Sequence, residues 1–151
     1  MQPHFDLAKR SPRSLVALPA IMVLAAVLLL PVRRLTVQGR SMLPSLRPGD
    51  RVAVGRFSYR FRAPRAGEVA VLYQADGFPR LDVKRIRAGP GEAVRVEERE
   101  AILGPDEWFV QGDNPNESTD SRHLGPVRRK DFVGPVWFIY LRGPEPEAAQ
   151  P

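Results

Sequence analysis

A chain of 151 residues without cysteine holds one modest domain and excludes disulfides, thiolate metal sites and a cysteine nucleophile. Its net charge of +6 raises nucleic acid as a partner. The basic residues are scattered, however, with no interleaved aromatics and no reader motif, and a domain beside anionic lipid headgroups carries the same excess.

Residues 1–14 are polar, contain Pro3 and Pro12, and read as a short tail. Leu15 to Val32, "LVALPAIMVLAAVLLLPV", carries no charge. As a helix these residues reach ~27 Å, the short end of a bilayer span. A cleaved signal peptide needs small residues soon after the run, and "LLLPVRRLTV" does not supply them. A buried core helix shows a polar face, and this run has none. The expectation for 15–32 is a retained transmembrane anchor, with Pro19 near its first turn. Lys9, Arg10 and Arg13 before the run balance Arg33, Arg34 and Arg40 after it, so charge alone does not orient it.

After the run the period becomes alternating. "RLTVQ", "RVAVGR", "EVAVLYQ", "RLDVKRIRA", "EAVRVEE", "EWFVQG" and "FVGPVWFIYL" are strand-like, rich in Val, Ile, Phe and Tyr. Breaker clusters such as "LRPGD", "APRAG", "AGPGE" and "GDNPNESTD" separate them. No amphipathic helix and no internal repeat follows. The predicted fold is mostly β, a single domain over 33–142, with "GPEPEAAQP" (143–151) a disordered tail.

Three segments could carry chemistry. In "GRSMLPSLRPGD" (39–50) Ser41 lies ahead of two prolines; alone, a loop serine is a turn residue. Of the basic residues only Lys9, Lys84 and Lys130 are lysine. Lys9 is in the tail and Lys130 in the basic patch "RRKD". Lys84 falls within a strand pattern, where it is either a solvated residue covering apolar neighbours or a base, since lysine can lose its proton and arginine cannot. A neutral lysine activates a serine, and burial disfavours a charged amine. Of the two histidines, His4 lies in the tail, so a histidine base would have to be His123. "GDNPNESTDSR" (112–122) is either an irregular loop or a polar scaffold with an Asp–Arg pair.

Together these segments resemble the type I signal peptidases, membrane-anchored serine proteases with a Ser–Lys dyad. "GRSMLPSLRPGD" is similar to their nucleophile box and "APRAGEVAVLY" to the strand after it. "VKRIRAGPGE" is similar to their lysine box, and "GDNPNESTDSR" to their late Gly-Asp-Asn…Ser-x-Asp-Ser-Arg box. The resemblance covers residues 14 to about 140 in the family's order. It implies a coiled β-sheet catalytic domain behind one transmembrane helix, with the N-terminus inside and the domain on the trans side of the cytoplasmic membrane. It implies Ser41 as nucleophile, Lys84 as general base and Ser118 as a hydrogen-bond partner orienting the amine. Asp120 and Arg122 would be the structural ion pair, and Asp113 the buried scaffold carboxylate. Met42 would belong to the apolar surface near the cleft and membrane.

The implied substrates are preproteins bearing signal peptides, cut after small residues, with membrane lipid and possible export machinery as partners. No metal, cofactor or nucleic acid is implied. At Gly39 some relatives carry a serine that helps form the oxyanion hole, leaving the Ser41 N–H and an open second donor here. Pro115 and Glu117 also depart from the usual late box, and only 27 residues separate Lys84 from Gly112, too few for the extra domain of some members.

Three rivals stand beside this reading. One is a self-cleaving Ser–Lys protein like the SOS repressors, though those carry a DNA-binding region where this chain has its apolar run. Another is a hydrolase using Ser41 with His123 and an aspartate. The third is a catalytically inactive membrane-tethered β domain that binds partners.

Overall fold

The computed structural model describes residues 32–73, 80–96 and 99–145. The expected tail 1–14 and residues 15–31 of the expected anchor lie outside them. Among the described residues no helix is long and apolar enough to cross a membrane.

Among the described residues eight strands are formed: β1 Val32–Thr36, β2 Arg51–Gly55, β3 Val69–Tyr73, β4 Leu81–Ala88, β5 Ala93–Val96, β6 Arg99–Ile102, β7 Phe109–Gln111 and β8 Phe132–Leu141. Six form one antiparallel sheet in the order β1-β2-β8-β3-β4-β7, and β5 pairs with β6 as a separate hairpin. β8 is the hinge of the sheet. Its first half pairs with β3 (Ala70 opposite Pro135), and its second half with β2 (Val54 opposite Val136). Register shifts at both junctions bend the sheet there, as bulges do.

Side chains alternate faces along a strand, and here both faces of β3 are covered. Val71 joins Val37, Met42, Leu46, Val52 and Val54 in one core. Its neighbours Ala70 and Leu72 join Tyr59, Ile86, Trp108, Val110 and Phe132 in a second. Phe132 holds the second core with edge-on contacts to Tyr59 and Trp108, at 5.5 and 5.9 Å between ring centroids. A smaller cluster of Ala88, Leu103 and Phe109, with Val94 and Val96 against it, anchors the β5–β6 hairpin.

All seven predicted strand segments contain a strand. β6 was not expected: its four residues are all exposed and carry no alternation. Single-turn helices at Ser58–Phe61 and Ser121–Leu124 are too short to show a helical period. Val32, the end of the apolar run, opens β1 opposite Gly55. At the other end, the Gly143 N–H donates to Asp50 Oδ1 at 2.7 Å and Arg47 pairs with Glu145 at 3.0 Å; residues 146–151 of the expected tail lie outside the described residues.

Candidate active site

Ser41 lies in the loop that joins β1 to β2, and backbone bonds close that loop at its base. Val37 N–H donates to the Asp50 carbonyl at 2.8 Å and Gly49 N–H to the Val37 carbonyl at 2.9 Å. Asp50, fully buried, accepts from the N–H groups of Arg47 and Gly143 and from the Arg142 guanidinium. Burial pushes the Asp50 carboxyl up, but these donors outweigh it and hold it below the usual carboxylate range.

Met42 is the loop's apolar anchor. At 1% exposure it packs in the core with Val37, Leu46, Val52, Val54 and Val71. A long apolar side chain next to the serine gains by filling the core under the loop. Met42, expected at the apolar surface near the cleft, is buried rather than exposed and forms part of the wall of a cavity at Ser41. Gly39 has a φ of +79° with open space where a Cβ would stand. A side chain there would be strained by backbone conformation rather than by crowding.

Lys84 is carried by β4. The two-residue period puts Asp82, Lys84 and Ile86 on one face, the face on which Ile86 packs with Ala70, Leu72 and Val110. Lys84 is only 4% exposed, so the solvated-strand alternative does not describe it. Its Nζ lies 3.6 Å from Asp82 Oδ2.

Ser41 and Lys84 line one cavity of about 350 Å³, together with Gly39, Arg40, Asp82 and Thr119. A neighbouring cavity of about 390 Å³ also reaches Ser41 and runs between Leu35–Gln38 and Arg80–Val83. No hydrogen bond joins Ser41 to Lys84 among the described residues. Catalytic contacts commonly tighten only when substrate is bound.

The late loop is tied directly to the serine loop. Asn114 N–H donates to the Ser41 carbonyl at 2.8 Å, and Asn114 Nδ2 to the Arg40 carbonyl at 3.1 Å. Gly112 sits where a Cβ would strike both the Ser41 carbonyl and the Ser118 side chain. Its N–H donates to Asp120 Oδ2 at 2.9 Å.

Asp120 accepts from Ser118 Oγ at 2.7 Å and from Arg122 Nε and Nη2 at 2.9 and 2.8 Å. It also caps the Ser121–Leu124 turn through the Arg122 N–H. Burial pushes its carboxyl up, but these bonds win and hold it far below the ordinary value. Ser118 thus spends its proton on Asp120, and its oxygen keeps acceptor capacity. Asp113 receives the Arg85 fork at 2.8 and 2.6 Å, and that fork, against a smaller burial cost, holds its carboxyl low.

Of the residues singled out in the sequence, Ser41, Gly39 and Lys84 share the cavity, with Met42 in the adjoining wall. Buried Ser118 and Asp120 form one network with half-buried Arg122, and Asp113 belongs to a separate one with Arg85. His123 is exposed and lines none of the cavities described here. Sequence reasoning missed Asp82, Asn114 and Asp50. Asp82 was signalled by its spacing of two from Lys84 on a strand; Asn114 and Asp50 stand inside quoted segments without a signal of their own.

A family model described as signal peptidase, peptidase S26, matches residues 12–103 and 97–141. The chain is 32% identical over 159 residues to the probable signal peptidase I-1 of Synechocystis sp., covering 82% of this chain and 81% of that protein. It is 31% identical over 146 residues to the signal peptidase I of Leptolyngbya laminosa, covering 74% and 72%. To the signal peptidase I V of Bacillus subtilis it is 26% identical over 137 residues, covering 66% and 80%.

Proposed function

Because the chain belongs to the signal peptidase family, peptidase S26, and so is a serine endopeptidase, we propose that it removes N-terminal signal peptides from exported preproteins through a Ser41–Lys84 dyad. The observation that carries this reading is that Ser41 and a buried Lys84, from distant parts of the chain, line the same cavity. The apolar run ahead of Val32, residues 15–31, anchors the domain as a single membrane span, N-terminus inside, with the catalytic face on the extracytoplasmic side. Lipid surrounds the anchor, and export machinery delivers the substrate.

The substrate's extended end lies in the cleft between Leu35–Gln38 and Arg80–Val83. β1 ends its sheet, so its outer edge has backbone groups to offer a peptide as an added strand. Leu35, Val37, Leu81 and Val83 give the cleft apolar wall surface beside Ser41, which suits small apolar side chains before the cut. Ser41 Oγ attacks the scissile carbonyl carbon while Lys84 Nζ takes the hydroxyl proton. The Ser41 N–H stabilises the oxyanion, with a backbone N–H or water as second donor, since Gly39 offers no side chain.

The C–N bond then breaks and Lys84 returns its proton to the leaving nitrogen, freeing the mature protein's amine. Lys84 next deprotonates a water that attacks the acyl ester. The ester C–O bond breaks, the proton returns to Ser41 Oγ, and the signal peptide leaves with a carboxyl end. No metal or cofactor enters these steps.

The test uses the detergent-solubilised full chain and a labelled preprotein. Wild type should cleave at the signal-peptide boundary, and Ser41→Ala and Lys84→Ala should each lose activity by at least about a thousandfold while keeping the melting transition of a folded chain. Cleavage by folded Lys84→Ala near the wild-type rate would overturn the dyad.

A further inference from the structure

The cleft contains a carboxylate to which the four sequence boxes assign no part. Asp82 lines both larger cavities at Ser41 and the small pocket behind Lys84, and its Oδ2 is 3.6 Å from Lys84 Nζ. The two side chains are on the same face of β4, two residues apart, so the pairing follows from the strand itself.

The other charged groups around the amine are matched elsewhere or carry the wrong sign. Arg40, from the serine loop, pairs with Glu117 of the late loop at 3.5 Å. Arg80, at the start of β4, is engaged in an interaction of its own. Asp120, across the small pocket, is taken up by Ser118, Gly112 and Arg122. The strands flanking β4 contribute only apolar Ala70, Leu72 and Val110 on this face. Among the described residues, Asp82 is therefore the carboxylate that faces the Lys84 amine. Its backbone is already paired in the sheet opposite Leu72, so sheet formation does not require its charge.

We propose that Asp82 is a positioning residue for the Lys84 base: it aims the amine into the cavity shared with Ser41. The proposal rests on the dyad reading above. A separation of 3.6 Å is longer than a close hydrogen bond. The carboxylate thus steers the amine without capturing it, leaving it able to swing to Ser41 Oγ. The division of labour with Ser118 is consistent: that hydroxyl donates to Asp120 and can orient the amine only as an acceptor.

The experiment measures kcat and KM separately for the full chain in detergent, with wild type, Asp82→Asn, Asp82→Glu and Lys84→Ala side by side. In Asp82→Asn kcat should fall by roughly tenfold, as for a misaimed reacting group, with KM near wild type. In Asp82→Glu, which keeps the charge, kcat should return most of the way to wild type. A kcat in Asp82→Asn equal to wild type, or a change confined to KM, overturns the role of Asp82. So do equal losses in Asn and Glu, which would mark a shape effect. Should the amide disturb the strand, as a lowered melting temperature would show, Asp82→Ser carries the same expectation. An active, folded Lys84→Ala would instead remove the base itself and take down the dyad reading with this one. An unchanged kcat in Asp82→Asn beside an inactive Lys84→Ala takes down only Asp82.

Discussion

The backbone N–H of Asn114 donates to the carbonyl of Ser41 at 2.8 Å, which ties the loop holding the serine to the loop holding Ser118 and Asp120. Gly112 completes the joint, since a Cβ there would strike the Ser41 carbonyl and Ser118 together. Two loops far apart in sequence are thus packed backbone to backbone.

The joint makes Gly112→Ala a sharp probe. The added methyl should cost about 1–3 kcal/mol of stability by overpacking and should also displace Ser41 or Ser118. Turnover measured well below the melting temperature should fall by roughly ten- to a hundredfold, since small misplacements of reacting groups are expensive. A variant with wild-type turnover and stability would mean that this contact does not hold the serine in place.

Ser118 and Arg122 should separate activity from stability, although both bind Asp120. Ser118→Ala removes one hydrogen bond to the Asp120 carboxylate, worth about 1.5–3 kcal/mol, and an acceptor for the amine; it should slow turnover without abolishing it. Arg122→Ala leaves a buried carboxylate without its guanidinium, and breaking such a pair costs about 3–5 kcal/mol. That variant should melt much earlier yet cut at a near-normal rate while folded. Melting curves and turnover on the same samples check the division, and equal melting temperatures in the two variants would contradict it.

Acid should unfold the domain through four carboxyls. Asp50, Asp113 and Asp120 are held below their ordinary values, and so is Glu68, which pairs with Arg62 and accepts from Tyr59 and the Arg65 N–H. A carboxyl depressed in the folded state contributes stability that is fully present above its unfolded value, near 4, and is lost as pH falls through the lower folded value. The melting temperature should therefore be flat from neutral pH to about 5 and fall steeply below about 4. Asp120→Asn should start lower and show a shallower acid slope. A wild-type melting temperature unchanged down to pH 3 would contradict the account.

The architecture was legible in the sequence wherever burial imposed a period. "EVAVLYQ" reads as a strand because Val71 faces one core and Ala70 and Leu72 the other. β6 was not legible, since none of its residues is buried and nothing dictates alternation. The site was legible as residue types but not as contacts. Whether Ser41 meets Lys84 depends on the register of β4 against β3 and on how the serine loop closes over Asp50, and neither is written in local spacing. Met42 is buried in the core and also lines the cavity wall beside Ser41, and its burial was not readable from its place next to the serine. Asp82 was overlooked because an aspartate in a strand reads as solvated until its neighbour proves to be buried.

His123 tests the rival base. It is exposed on the Ser121–Leu124 turn and outside the cavities that Ser41 lines. His123→Ala should keep most of the activity, and a collapse of turnover with an unchanged melting temperature would put the histidine mechanism first.

Lys84→Arg asks the most of the dyad, because it keeps the charge and removes the chemistry. Arginine stays protonated under all working conditions, so it can still pair with Asp82 but cannot take the serine proton. The position is 4% exposed, and the larger guanidinium needs room, so a loss of about 1–3 kcal/mol from overpacking is expected. Lys84→Met controls for this, being of similar length, uncharged and suited to the apolar neighbours Ala70, Leu72 and Ile86. If Lys84 serves as the base, both variants should be inactive below their melting temperatures, whatever the difference in stability between them. If Lys84 only balances the charge of Asp82, Lys84→Arg should cleave preprotein at a rate close to wild type and Lys84→Met alone should fail. Single-turnover cleavage with enzyme in excess distinguishes the two, because it reads the acylation step in which the proton leaves Ser41.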